Sequence, residues 1–201
     1  MAPDAVLLPK VTSAGDIDML AKVTGSLPIW AMMGTPLAVL QASEIARHVS
    51  VHGMVMGTND LLEDLQSRLR SDRLALIPSL AHCVLAAKAH GVIIIIDGVY
   101  NVFKDERDLL AECEQGRDMG FDGKTLIHPA QIEIANRCFA PSCEEIDRAR
   151  RQIEAFLVAR AEGAGVAVVD GQIVERLHVE TARQMLEKVD MIGRLTLEMQ
   201  T

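Results

Sequence analysis

Five points in the chain lie where a short apolar run ends: Lys10, Met33-Gly34-Thr35, Gly57-Thr58-Asn59-Asp60, Asp97-Gly98 and His128-Pro129, and among them stand a lysine, two aspartates, an asparagine and a histidine. In parallel α/β architectures ligands bind at the carboxyl ends of the strands, so these positions are the ones to read for chemistry. Asp60 has the sharpest reading. A strand-end carboxylate suits a hard divalent cation such as Mg2+, which takes one or two protein carboxylates and completes its shell with water and substrate. The same residue equally suits the cap of a helix beginning at Leu61. Asp97 reads as a ligand-facing carboxylate or as part of a tight turn with Gly98. Lys10 is a counter-charge for a carboxylate or phosphate, or a solvated side chain. His128 is an acid–base group or donor to a ligand oxygen, or a loop histidine ahead of a helix-starting proline. Glu175 is a catalytic carboxylate carried by a lid, or an acid at a helix N-terminus.

Positioning these residues requires strands. Five continuous apolar runs, Ala5 to Pro9, Pro28 to Met33, Gly53 to Met56, Val92 to Ile96 and Lys124 to Ile127, read as strands buried on both faces of a parallel sheet. Helical patterns fall between them. Ser13 with Asp16 resembles a capping box ahead of Ile17, Leu20 and Ala21. Thr35 and Pro36 predict a helix start, with Ala38, Ala42, Ile45, Ala46 and Val49 on one stripe. Two more helices are predicted over Leu74 to His90 and Asp105 to Met119, each ending at a glycine, Gly91 or Gly120. After the fifth run the pattern changes: a helix capped by Ser142 and Glu145, a hairpin over Gly165 to Val174 turning at Asp170-Gly171, and a last helix bearing Ala182, Met185, Leu186 and Val189. This order fits a doubly wound sheet or part of a (β/α)8 barrel.

The 201 residues are 49% hydrophobic and 24% charged but only 3% aromatic, which predicts an ordered fold with an aliphatic core. A net charge of −8 argues against a nucleic-acid or anionic-membrane surface, since both need basic patches. The longest apolar run is far too short to span a bilayer and Met1-Ala2-Pro3-Asp4 has no basic leader, so a cytoplasmic protein without membrane partners is expected. Cys83, Cys113, Cys138 and Cys143 lack the paired spacing of a zinc or disulfide framework. No glycine-rich nucleotide fingerprint occurs at a strand-to-helix turn.

The segment Gly120-Phe121-Asp122-Gly123-Lys124-Thr125-Leu126-Ile127-His128-Pro129-Ala130-Gln131-Ile132 closely resembles the last barrel strand of the citrate lyase beta subunit-like proteins. These belong to the HpcH/HpaI aldolase superfamily, with malyl-CoA and citramalyl-CoA lyases as relatives. Val6-Leu7-Leu8-Pro9-Lys10, Met54-Val55-Met56-Gly57-Thr58-Asn59-Asp60-Leu61, Ile96-Asp97-Gly98-Val99-Tyr100-Asn101 and Asp170-Gly171-Gln172-Ile173-Val174-Glu175-Arg176-Leu177-His178 agree in the same order. The resemblance implies an α/β fold of the (β/α)8 TIM-barrel type. Residues 1–140 would hold the last five strand-helix units, and residues 141–201 a C-terminal helical extension and lid.

It further implies a Mg2+-dependent carbon–carbon lyase that splits a 3-hydroxyacyl-CoA, such as malyl-CoA or citramalyl-CoA, into an acyl-CoA and a 2-oxo acid. Asp60 matches the metal aspartate, Glu175 falls at the acid/base carboxylate, and Lys10, Thr58, Asn59, Asp97 and His128 fall on the substrate side. The family's second metal carboxylate, a glutamate in a segment like I-E-T-P, is replaced here by Gly34 in Met32-Met33-Gly34-Thr35-Pro36. The first three family strands have no counterpart upstream of Met1, so the expectation is an N-terminally truncated member. The lid implies a homo-oligomer, a trimer or hexamer by family. Two rival readings accompany the lyase: a non-catalytic remnant or partner-completed subunit, and a malyl-CoA-type thioesterase using the same site.

Overall fold

The computed structural model describes residues 3–92 and 94–198. The chain divides into two compact units at Phe139/Ala140.

The first unit alternates strand and helix: β1 (Val6–Leu8), α1 (Ala14–Thr24), β2 (Ile29–Met33), α2 (Pro36–Leu40), α3 (Ala42–Ala46), β3 (Val51–Met56), α4 (Thr58–Asp64), α5 (Ile77–Ala89), β4 (Ile94–Asp97), α6 (Glu106–Met119), β5 (Gly123–Lys124) and α7 (Ile132–Phe139). The strands form one parallel sheet in the order β1-β2-β3-β4-β5. Sequential order with every crossover through a helix follows from the repeating apolar-run, turn, helix pattern. Met33, Met54, Met56 and Ile95 from the sheet pack with Ile17, Ile45, Leu61, Leu80 and Leu109 from the helices in a single aliphatic core. Trp30 lies across Gly53 on the neighbouring strand, where an added Cβ would come within 2.7 Å of the indole.

Several boundaries differ from those read off the sequence. The stripe from Ala38 to Val49 is split into α2 and α3 at Gln41, and Val49 lies past the second helix, exposed. α5 starts at Ile77 rather than Leu74, because Pro78 is tolerated only in a first helical turn. β5 is two residues long. Beyond it the Ile127 amide donates to the Gln131 side chain, so the chain has left the sheet. In the fourth run, Ile93 lies outside the described residues.

The second unit contains α8 (Cys143–Ala161), β6 (Ala167–Val169), β7 (Gln172–Val174) and α9 (Arg176–Glu198). The predicted capping box forms: the Ser142 amide donates to Glu145 Oε2 at 2.7 Å, and the Glu145 amide to Ser142 Oγ at 3.2 Å. Asp170 (φ 50°) and Gly171 (φ 75°) both adopt positive φ, as the tight antiparallel hairpin requires. Phe156, Val169, Val174 and Val179 close a small core. Among the described residues no helix is long and apolar enough to cross a membrane.

Candidate functional site

Asp60 owes its position to two glycines. Gly57 follows β3 and donates its amide to the Met33 carbonyl at 3.0 Å, while a Cβ on Gly57 would come within 2.8 Å of Gly34 Cα. The ends of β2 and β3 therefore touch backbone to backbone. α4 begins at once with Gly57 as its N-cap, which corrects the reading of Asp60 as the cap of a helix starting at Leu61. Asp60 is the third residue of that helix, exposed, and its carboxylate has no hydrogen-bond partner among the described residues. The N-terminal end of the helix favours its charge. A Cβ placed on Gly34 would lie 3.6 Å from Asp60 Cβ, so position 34 and Asp60 are side-by-side neighbours.

Thr58 and Asn59 precede Asp60 in different roles. Thr58 is buried against Gly98, whose missing Cβ leaves it room. Asn59 is exposed and exchanges two hydrogen bonds with Asn101: Asn101 Nδ2 donates to Asn59 Oδ1 at 2.7 Å, and Asn59 Nδ2 donates to Asn101 Oδ1 at 3.3 Å.

Asp97 is not at the rim. Its side chain is fully buried, against the expectation of a substrate contact, and its oxygens are occupied. Oδ1 accepts from Arg73 Nη1 at 2.9 Å and from the Gly98 amide at 2.8 Å; Oδ2 accepts from Arg73 Nη1 at 2.7 Å and Lys124 Nζ at 3.3 Å. Lys124 also reaches Glu112 Oε1 and the Gly98 carbonyl, each at 2.5 Å. Arg73 Nε donates to Gln115 at 2.6 Å. Two cations and two carboxylates thus neutralise one another below the strand ends, which is what allows them to be buried. Arg73 sits at φ 52°, a conformation costly for a side-chain-bearing residue and held by these ion pairs. Sequence reading missed Arg73 and Glu112. The available signal was Gly116 in the middle of a helical pattern: a Cβ there would meet Asp97 Oδ2 at 2.7 Å.

His128 is exposed and stacks on Phe103, with ring centroids 4.6 Å apart. Its Nδ1 accepts the Ala130 amide at 3.1 Å, which assigns the proton of the neutral ring to Nε2 as an outward donor. Fully buried Gln131 holds this loop. Its Oε1 accepts from the Ile127 and His128 amides, and its Nε2 donates to the Tyr100 carbonyl at 2.9 Å. Burial, then the charges of Asp105, Asp108 and Glu112, push the Tyr100 phenol above its usual pKa. Lys10 occupies the turn after β1 at φ 51°, exposed. In the second unit, Glu175 directly precedes α9 with an exposed carboxylate, and its amide donates to His178 Nδ1 at 3.0 Å.

A divalent cation would find one protein carboxylate here. Among the described residues no cluster of three histidine, cysteine or acidic ligands exists. Among the described residues, Asp60 in the first turn of α4 offers a free carboxylate beside the open position at Gly34. One protein carboxylate is within Mg2+ chemistry when water and substrate supply the remaining oxygens.

The comparisons agree with this architecture. The chain is 61% identical over 190 residues to the (3S)-malyl-CoA thioesterase of Cereibacter sphaeroides, covering 94% of this chain and 66% of that protein. It is 32% identical to the citrate lyase subunit beta of Haemophilus influenzae, covering 92% of this chain and 67% of the relative. Among solved structures, the protein CitE from Mycobacterium tuberculosis in complex with magnesium, acetoacetate and coenzyme A superposes with a TM-score of 0.75 at 29% identity, over 92% of this chain and 68% of that one. The chain thus spans about two thirds of the length of the curated relatives it matches. Residues 1–129 match the HpcH/HpaI aldolase/citrate lyase family, and the chain belongs to it.

Proposed function

We propose that this protein acts on malyl-CoA-type thioesters and that the reaction is hydrolysis of the thioester, releasing a free hydroxy-diacid and the CoA thiol. The observation that carries the reading is the free Asp60 carboxylate at the end of β3 with Gly34 beside it. The 61% identity to malyl-CoA thioesterases, against 32% to citrate lyase beta subunits, favours hydrolysis over the carbon–carbon cleavage that the sequence alone put first. A barrel of the (β/α)8 type is the frame in which such a site works, with the five parallel strands as part of it.

Asp60 would hold Mg2+. When bound, the cation supplies Lewis acidity toward substrate oxygen. The Nε2 proton of His128 is placed to donate to a ligand oxygen, and the Lys10 ammonium offers a counter-charge to an anionic substrate group. Asn59 orients the turn that bears Asp60. Glu175 is the carboxylate proposed to move a proton, from the segment leading into α9.

The lyase remains the second reading, supported by the family match and by the CitE complex. Product analysis separates the two. Incubation with (3S)-malyl-CoA, followed by chromatography, is expected to yield malate and free CoA. Glyoxylate with acetyl-CoA would establish cleavage instead, and unchanged substrate would support a non-catalytic remnant.

A further inference from the structure

We propose that Gln131 is a positioning residue for His128, aiming its outward Nε2 donor by tying the loop after β4 to the loop after β5. The inference rests on the reading of His128 as a donor to a ligand oxygen and extends it to what holds the ring. Gln131 is fully buried, yet both of its polar atoms are engaged. Oε1 accepts from the Ile127 amide at 2.9 Å and the His128 amide at 3.3 Å, and Nε2 donates to the Tyr100 carbonyl at 2.9 Å. The bond to Tyr100 therefore joins the segments that leave two neighbouring strands. His128 and Gln131 also cap one another across the single turn Pro129–Gln131: His128 Nδ1 accepts from the Ala130 amide at 3.1 Å, while Gln131 accepts from the His128 amide.

The imidazole has two supports, and Gln131 is bonded to the backbone of both. One is the Ala130 amide on Nδ1, which leaves the proton of the neutral ring on Nε2. The other is Phe103, stacked on the ring with centroids 4.6 Å apart and planes inclined by 25°. Phe103 lies three residues after Tyr100, so the carbonyl that Gln131 grips belongs to the segment carrying the stack. An exposed histidine on a loop is free to change rotamer, whereas a ring pinned at one nitrogen and along one face keeps its proton pointing one way. The same three bonds keep two amides and a carbonyl paired, which any fold requires of buried backbone. Positioning is therefore distinguished from folding by whether the effect of Gln131 passes through His128.

The test uses the chain as it exists, with proton and nitrogen NMR of the His128 ring and the rate of CoA release from (3S)-malyl-CoA. In the unmodified chain the His128 ring protons are expected upfield, shielded by Phe103, with Nδ1 unprotonated; Phe103→Leu supplies the unstacked reference. Gln131→Glu keeps the length and an acceptor for the two amides but sets a carboxylate oxygen against the Tyr100 carbonyl. Its His128 resonances should move most of the way to the Phe103→Leu positions, and kcat/KM should fall about tenfold. Gln131→Met, which removes all three bonds, should do the same and also alter the Nδ1 resonance. Added to His128→Gln, Gln131→Glu should cost nothing further, because its effect runs through the ring. If Gln131→Met does not fold, Gln131→Glu decides; failure of both to fold would assign the residue to folding and overturn the positioning role. Unchanged His128 resonances in Gln131→Glu, or a rate loss that persists in full on top of His128→Gln, would overturn that role alone. Equal rates for the unmodified chain and His128→Gln, or no CoA release at all, would overturn the donor reading and this inference with it.

Discussion

Gly34 stands beside Asp60, where a Cβ would lie 3.6 Å from the Asp60 Cβ. A glutamate there would stand next to Asp60, whereas the glycine leaves a cation with one protein charge and a shell of water and substrate. Calorimetric titration with Mg2+ is expected to give dissociation near or above about 1 mM for the unmodified chain, and at least tenfold tighter binding for Gly34→Glu. Micromolar binding without the substitution would mean that oxygen donors other than Asp60 hold the ion. Glu175 poses a separate question, because an exposed carboxylate just before α9 fits either a proton carrier, as proposed, or a favourable charge for the helix. Glu175→Gln keeps shape and hydrogen-bonding reach but removes proton transfer. Thioester turnover should fall on the order of a hundredfold with little change in melting temperature. A lower melting temperature with turnover intact would assign Glu175 to the helix instead.

Within the first unit, secondary-structure elements meet in close approaches that only glycine permits. α6 lies against Asp97 because Gly116 lacks a side chain, so Gly116→Ala must push the helix off the buried carboxylate or displace Arg73. Urea unfolding should show a loss of about 1–3 kcal/mol, the usual cost of overpacking a filled interior. An unchanged midpoint would show that α6 has slack here. The five strands were legible as continuous apolar runs because a parallel sheet covered on both faces has no polar alternation. Capping at Ser142, the Asp170-Gly171 turn and the end of α6 at Gly120 were legible because each depends on local backbone chemistry. The short β5 and the split between α2 and α3 were not, since Ile127 and Val49 are apolar residues that tertiary structure leaves exposed. For the site, strand-end position pointed to Asp60, Asn59 and His128, and all three are exposed. It could not distinguish them from Asp97, because burial there depends on Arg73, 24 residues away in sequence.

For the molecule as a whole, the strand order leaves β1 and β5 each paired on one side among the described residues. Closure into an eight-stranded barrel and assembly into a homo-oligomer are therefore proposals drawn from the family rather than features of this sheet. The second unit carries its own small core around Phe156 and Val174 and brings Glu175 to its surface. We propose that the first unit presents the Asp60 carboxylate to a CoA thioester. The most direct measurement is the initial rate of CoA release from (3S)-malyl-CoA at saturating Mg2+, compared between the unmodified chain and Asp60→Asn. The account predicts measurable release by the former and a loss on the order of a hundredfold or more in the latter, with the fold retained by circular dichroism. Equal rates in the two proteins would contradict it.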